Sequence, residues 1–477
     1  LNFDFFYSGK SLYSQKKFLT HSFLLGLSFG YGLFLTSLYW INISLFYDIE
    51  KYILFLIPGI FLIPLVLGIF YGIINVIFSL YYPQNITRIF WVAIIWTLIE
   101  FARIKITFFP WAQIGHSVIE IDHILQITSV FGEISLNAIC VIIFAFPIIY
   151  YYESNKNFKY KSLLIFLTLF FIIFVYGEKR LSLDRDNREN TEIILIQPNI
   201  AQKEKWDPEL FQLNKNKLIN PTIHLSNQPR KDTTSNRYFI WPETAIAALI
   251  DENPDITYEV TKNFSENDYL MLGSLRREGN NFFNSFFIID YNNIIIGKYD
   301  KNILVPFGEY IPLDNLFRKL SFLNISSLAG NFTPGSKSVE IFNTLKNNPM
   351  VYICYEIVFS NKIKDINEEI SFLLNITNDA WFGNSSGPYQ HFNMSKIRPV
   401  ELGMPLVRVA NNGISGIINP FGQEILKSEL NTELHVRILL PSKIKQTFYS
   451  KYGNIPFFCL LLFTFMIIYY FNNRIHK

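Results

Sequence analysis

At 477 residues the chain is too long for one ordinary domain, and 50% hydrophobic content with a mean hydropathy of +0.21 is high for a wholly water-soluble protein. It must have a membrane part. Formal net charge is only +3 and the basic residues are scattered, which leaves no electrostatic footprint for nucleic acid.

The chain opens with Leu1, and residues 1–13 are too short and too polar for a signal peptide or a span. Apolar stretches able to cross a bilayer are expected at 18–41, 52–82, 89–102, 124–152 and 162–176, since a span needs roughly 20 residues. The third is short and carries Glu100. Lys10, Lys16, Lys17, Arg88, Lys156, Lys159 and Lys161 fall at the start and in the even-numbered loops, which the positive-inside rule assigns to the cytoplasm. Arg103, Lys105, Lys179 and Arg180 argue the other way. The balance puts the polar domain outside the cytoplasm, and a last apolar segment over 455–471 returns the chain. The expected division is therefore a membrane bundle at 1–178, an extracytoplasmic domain at 191–450, and a C-terminal helix with a short tail at 455–477. The aromatic loop from Thr107 to His116 is assigned to the outer interface, with His116 as a polar tip rather than an acid or base.

From Thr191 the pattern becomes α/β. Short apolar runs predict strands at 192–197, 238–241, 269–273, 283–290, 294–299, 339–342, 350–354 and 372–376, suited to a covered sheet. Helices are expected at 208–226, 254–266 and 390–403, the first with Asp207 as N-cap and Pro208 at N1. Residues 405–410 and 414–419 around Asn411-Asn412-Gly413 read as a hairpin with a type I′ turn.

Of the three cysteines, Cys140 and Cys459 lie in apolar segments, so Cys354 has no disulfide partner in the polar domain. A lone cysteine on a strand is usually a small core residue. Two other strand ends shift that balance, Trp241-Pro242-Glu243-Thr244 and Tyr299-Asp300-Lys301. Acyl chemistry on a thiol needs a proton acceptor and a positive charge at the oxyanion; Glu243 and Lys301 supply both without histidine. Glu309, an acid among apolar neighbours, is either an exposed loop carboxylate or the partner that orients Lys301.

Trp-Pro-Glu, the lysine strand end and Cys354-Tyr355-Glu356 in this order resemble the Glu-Lys-Cys triad of the nitrilase (carbon-nitrogen hydrolase) superfamily. Gln197-Pro198-Asn199-Ile200 with Lys205-Trp206, Leu304-Val305-Pro306-Phe307-Gly308-Glu309, Asn378-Asp379-Ala380-Trp381-Phe382-Gly383, Gln390-His391-Phe392, and Arg408 before Asn411-Asn412-Gly413 resemble the apolipoprotein N-acyltransferase family within it. The resemblance implies a polytopic α-helical membrane bundle plus a four-layer α-β-β-α sandwich. It implies Glu243 as base, Lys301 for the oxyanion, Cys354 as nucleophile and Glu309 behind the lysine. Trp206, Tyr355, Glu356 and Trp381 match positions around the site or on loops over it. Family members have eight spans and this chain supplies six, its first matching their third, so the missing pair is expected to precede Leu1. The family's usual Tyr-Ser-Gln after Phe-Pro-Trp is replaced here by His116-Ser117-Val118.

The implied function is transfer of a fatty acyl chain from a phospholipid, through a cysteine thioester, to the α-amino group of the diacylglyceryl-cysteine of an apolipoprotein. The expected place is a bacterial inner membrane, with the catalytic domain periplasmic. No metal or cofactor is required. The alternatives are a membrane-tethered amidase of the same superfamily, for which one span would suffice, and a non-catalytic lipid- or lipoprotein-binding protein, which would not need Glu243, Lys301 and Cys354 together.

Overall fold

The computed structural model describes residues 12–83, 87–183, 187–232, 235–306, 308–310, 332–336, 342, 345–360 and 369–475. The strand expected over 339–342 lies outside these apart from Phe342.

The first part contains helices α1 (Leu12–Ser37), α2 (Ile49–Leu80), α3 (Arg88–Thr107), α4 (Ile134–Tyr152) and α5 (Lys156–Leu181). Among the described residues, the stretches long and apolar enough to cross a membrane are Ser14–Ser37, Leu56–Leu80, Ile134–Tyr152 and Lys156–Leu181, and Ile455–Tyr470 is a shorter apolar helix. Lipid gives little hydrophobic drive between helices, so close backbone approach matters. A Cβ at Gly26 would sit 2.3 Å from the Tyr71 carbonyl oxygen and one at Gly30 would sit 2.9 Å from Gly68 Cα, so α1 and α2 meet through glycine.

Helix α3 shows why Glu100 sits in an otherwise apolar stretch. Glu100 and Arg103 are fully buried and pair at 2.8 Å, and Arg103 also donates to the carbonyls of Phe109 and Trp111 at 2.9 and 3.0 Å. The charges neutralise each other while gripping the aromatic loop that follows.

The span expected over 124–152 is broken. Two single-turn helices precede Gly132, whose φ of 74° stops the chain before α4 begins. The apolar residues there carry buried polar neighbours that face the polar domain rather than lipid: Gln126 Nε2 donates to the Phe421 carbonyl at 2.9 Å, and the Glu133 N–H donates to Glu401 Oε1 at 2.7 Å.

The polar domain stacks two mixed sheets. One has the order β11-β1-β2-β3-β4-β5, from β1 (Arg188–Gln197), β2 (Asn236–Ile240), β3 (Asp268–Glu278), β4 (Asn281–Ile289), β5 (Ile295–Asp300) and β11 (Leu434–Pro441). The other has the order β10-β9-β8-β7-β6, from β6 (Asn348–Ile353), β7 (Ile370–Thr377), β8 (Leu406–Ala410), β9 (Gly416–Ile418) and β10 (Glu424–Lys427). Period-two alternation sorts each strand between layers. Ile193 and Leu195 meet Ile353, Leu374 and Val407 between the sheets, while Ile194 and Ile196 turn outward to Leu218 and Val260 of α6 (Phe211–Ser226) and α7 (Pro254–Thr261). The outer face of the second sheet packs Tyr352 and Leu373 against Phe392 of α8 (Gly387–Ser395) and Leu402 of α9 (Ile397–Leu402). Phe34, Trp40 and Trp111 join the same cluster, which seats the sandwich on the bundle. The last helix, α10 (Ile455–Ile475), packs Phe457 and Leu461 against Trp91 and Ile142.

Four expected boundaries move. Asp207 caps the turn before α6 by accepting the Glu209 N–H at 2.9 Å, but that turn has i→i+3 bonds and the α-helix begins only at Phe211. Helix α7 ends at Thr261, where successive turns carry the chain into β3. The helix expected over 390–403 is two, because Pro399 has no N–H to offer Ser395, and Gly403 at φ 71° ends the second. The hairpin at Asn411-Asn412-Gly413 exists, with Leu406 opposite Ile418, but pairing stops at Arg408 opposite Gly416. None of the three residues has positive φ, so the turn is not type I′. The Asn411 amide is committed elsewhere, donating to the Ile200 carbonyl at 2.7 Å and accepting the Ile200 N–H at 3.0 Å.

Candidate active site

Strand β2 ends three residues before Glu243, β5 ends one before Lys301, and β6 ends one before Cys354. Antiparallel pairing of β3 with β4 and β4 with β5 points β5 the same way as β2, so the first two ends share an edge. A hydrogen bond from the Asn378 N–H to Glu243 Oε2 at 2.8 Å brings the end of β7, beside β6, to that edge as well. Glu243, Lys301, Glu309 and Cys354 are thereby assembled from two sheets and one loop.

Glu243 is buried and held by three groups. Its Oε2 accepts the Asn378 N–H, and its Oε1 accepts Asn284 Nδ2 at 2.7 Å and lies 3.7 Å from Lys301 Nζ. The turn that carries it passes directly over β3. A Cβ at Gly273 would fall 2.6 Å from Glu243 Cα, so only glycine allows the crossing.

Lys301 Nζ donates to Glu309 Oε1 at 2.9 Å, and Glu309 Oε2 accepts the Val305 N–H at 2.8 Å. Burial opposes the ammonium charge, but the carboxylates of Glu309 and Glu243 outweigh it and hold Lys301 well above the ordinary lysine range. Lys301 is therefore a fixed cation near neutrality. Asn284 Nδ2 also reaches Glu309 Oε1 at 3.1 Å, so one amide spans both carboxylates. Sequence reasoning missed Asn284, although a single amide interrupting the apolar run of β4 was the available signal.

Cys354 opens a short 3-10 turn with φ 52°, a left-handed conformation that costs a non-glycine residue on the order of 1–3 kcal/mol. Glu356 explains how the turn persists. Its Oε2 accepts the Ile353 N–H at 2.8 Å, and its Oε1 accepts the Asn302 and Ile303 N–H groups at 2.7 and 3.0 Å and the Tyr299 hydroxyl at 2.9 Å. One buried carboxylate thus binds the cysteine turn to the lysine turn. Burial first, then the Glu243 charge, pushes the Cys354 thiol far up, against Lys301 and a hydrogen bond with Thr377. Such a cysteine rests as a thiol and needs a base before it can attack.

Behind Cys354 lies a buried network. Asp379 pairs with Arg408 at 2.7 Å and with His391 Nδ1 at 2.8 Å and accepts the Thr377 hydroxyl at 3.0 Å, while Asn375 Nδ2 donates to the carbonyls of Tyr352 and Cys354. His391 and Arg408 here brace strand ends. The Tyr355 ring stacks on Trp111, with centroids 5.6 Å apart, and its hydroxyl donates to the Phe108 carbonyl. Trp206 and Trp381 are 51% and 45% exposed on loops, and Phe382 beside the latter packs on Trp40 with ring centroids 4.7 Å apart. The segment around Trp381 thereby lies against the bundle, where the Ser386 N–H also donates to the Tyr39 hydroxyl at 3.2 Å. Lys205, quoted above only as part of a motif, is buried with Nζ 3.4 Å from the Glu243 carbonyl oxygen.

Among known proteins, a model of the carbon-nitrogen hydrolase family matches residues 225–438, and a model of the apolipoprotein N-acyltransferase N-terminal domain matches residues 6–146. The apolipoprotein N-acyltransferase of Allorhizobium ampelinum is 32% identical over 443 residues, covering 89% of this chain and 81% of the relative. That of Rickettsia prowazekii is 32% identical over 456 residues, covering 93% and 88%. A solved amidase from Nesterenkonia sp. aligns with 54% of this chain and 92% of its own, at 16% identity and a TM-score of 0.39.

Proposed function

The chain belongs to the apolipoprotein N-acyltransferase family, and on that premise we propose which residues carry the acyl group and where the transfer takes place. The enzyme is a membrane acyltransferase with nitrilase-type cysteine chemistry. In the first half-reaction the Cys354 sulfur attacks the ester carbonyl of a phospholipid as Glu243 takes the thiol proton. Lys301 faces the oxyanion that forms, with Glu309 holding its ammonium in place. The ester C–O bond then breaks, Glu243 returns the proton to the departing alkoxide, and a lysophospholipid leaves a Cys354 thioester.

In the second half-reaction the α-amino group of a diacylglyceryl-cysteine attacks that thioester, Glu243 takes the amine's proton, and the C–S bond breaks to restore Cys354 with its proton. The observation that carries these assignments is the burial of one carboxylate, one ammonium and one thiol together at converging strand ends. Glu243 is the base because it alone couples to both other groups while accepting only neutral hydrogen bonds on Oε2.

We assign the protein to a bacterial inner membrane with the sandwich periplasmic. Arg88 and Lys156 stand at the bundle end away from Trp40 and Trp111, on which the sandwich rests, and the positive-inside rule makes that far end cytoplasmic. The test of the function is transfer of a tagged acyl chain from phospholipid vesicles to a diacylated N-terminal cysteine peptide. The full chain should transfer it and Cys354→Ala should not. Transfer surviving in Cys354→Ala overturns the assignment.

A further inference from the structure

Lys205 is an ammonium with no counter-charge of its own. It lies in the loop between Ile200, which is tied to Asn411 by two hydrogen bonds, and Asn214, whose Nδ2 donates to the Glu204 carbonyl at 3.0 Å. Both ends of the loop are thus fixed. The side chain is 4% exposed, its Nζ is 3.4 Å from the Glu243 carbonyl oxygen, and among the described residues no carboxylate lies within ion-pair distance. A buried, unpaired lysine is costly unless something negative arrives beside it. The groups that face it are Glu243 from the turn after β2 and Cys354 from the turn after β6. Behind them stand Lys301 and Glu309 on one side and Asp379, His391 and Arg408 on the other.

We propose that Lys205 is a positioning cation for the acyl-transfer site, which stabilises the negative charge when it moves from the Glu243 carboxylate to the Cys354 sulfur and on to the oxyanion. The proposal rests on Cys354 being the nucleophile. Lys301 cannot do this alone, because Glu309 already neutralises it. Glu243 and Glu309 against Lys301 leave these three groups with one excess negative charge, which opposes ionisation of Cys354; Lys205 offsets it. Burial lowers the Lys205 pKa to about 8, against the pull of Glu243 and Cys354, so the compensating charge is present at neutral pH and fades on the alkaline side.

The test is the pH profile of Cys354 alkylation by iodoacetamide, read by intact mass on the purified full chain with Cys140 and Cys459 replaced by alanine. Lys205→Met should slow both Cys354 alkylation and acyl-Cys354 formation from phospholipid at pH 7 about tenfold, and its alkylation profile should converge on the parent's above about pH 8, where Lys205 itself loses its charge. Lys205→Arg, which keeps the charge, should leave both rates at pH 7 near those of the parent. Should Lys205→Met fail to fold, Lys205→Gln keeps a donor for the Glu243 carbonyl without the charge and carries the same expectation. A neutral variant whose profile superimposes on the parent's overturns the proposal, as does an equal loss of rate at pH 7 in Lys205→Arg. Acyl transfer persisting in Cys354→Ala would sink the nucleophile itself, a separate signature from an unmoved profile.

Discussion

The hydroxyl of Tyr355 donates to the main-chain oxygen of Phe108 at 2.5 Å, joining positions 247 residues apart in the chain. Tyr355 follows the candidate nucleophile and Phe108 begins the loop after α3, so the turn that presents the thiol is fastened to the membrane bundle. Tyr355→Phe keeps the stack on Trp111 and removes only this bond. Its expected effects are a stability loss of about 1 kcal/mol and a several-fold fall in kcat for acyl transfer. An unchanged kcat in that variant, measured alongside its melting temperature, would reduce the contact to packing.

Lys301 and Glu309 differ in what they touch. Lys301 Nζ lies between two carboxylates, whereas Glu309 reaches the site only through Lys301 and Asn284. Lys301→Ala should cost roughly 10²-fold or more in rate, the scale of losing one oxyanion donor. Glu309→Gln keeps an oxygen for both partners and should cost about tenfold. Steady-state kinetics of both variants checks this, and equal tolerance of the two changes would show that the oxyanion partner is another group.

The junction between bundle and sandwich carries a pH dependence. Arg398 pairs with Glu401 at 2.5 Å and also with Glu133, so one guanidinium serves two buried carboxylates. Burial, with the Glu133 charge adding to it and Arg398 opposing, pushes the Glu401 carboxyl up to about 7. A raised folded value means the neutral form is favoured in the folded protein. Its contribution to stability is therefore complete below the ordinary carboxylate value and is lost as pH rises through about 7. Melting temperature should fall between pH 5 and 8 in the parent and fall less in Glu401→Gln. A parent curve that rises over that window contradicts the assignment.

Orientation is checked at the exposed β3–β4 hairpin. A cysteine in place of Asn280, in a chain with its three native cysteines replaced, should react with a membrane-impermeant maleimide in intact spheroplasts. Labelling that begins only after lysis would invert the proposed topology.

What the sequence made legible is what strand periodicity exposes. Glu243, Lys301 and Cys354 each follow an apolar run closely, and a polar residue just past a buried strand must sit at a sheet edge. Asn284 was passed over although it interrupts an apolar strand, and Lys205 was not legible, because it lies in a loop whose burial depends on Asn411, some two hundred residues away. Hydropathy alone also joined the 124–131 stretch to α4. It cannot distinguish burial in lipid from burial under the sandwich, where Gln126 and Glu133 find their partners. For the same reason the charges of α3 looked unfavourable in sequence, although Arg103 satisfies Glu100 and two carbonyls at once.

The most direct test of the account is whether Cys354 carries an acyl group before any acceptor is present. An acyltransferase must keep water from its thioester until an amine arrives, whereas a hydrolase must admit it. Purified full chain incubated with phospholipid alone should gain the mass of one fatty acyl group on Cys354, removable by hydroxylamine, and a diacylated cysteine peptide should then take that group onto its α-amino nitrogen. A mass that never increases, or an increment that decays equally fast with and without the peptide, contradicts acyl transfer through Cys354.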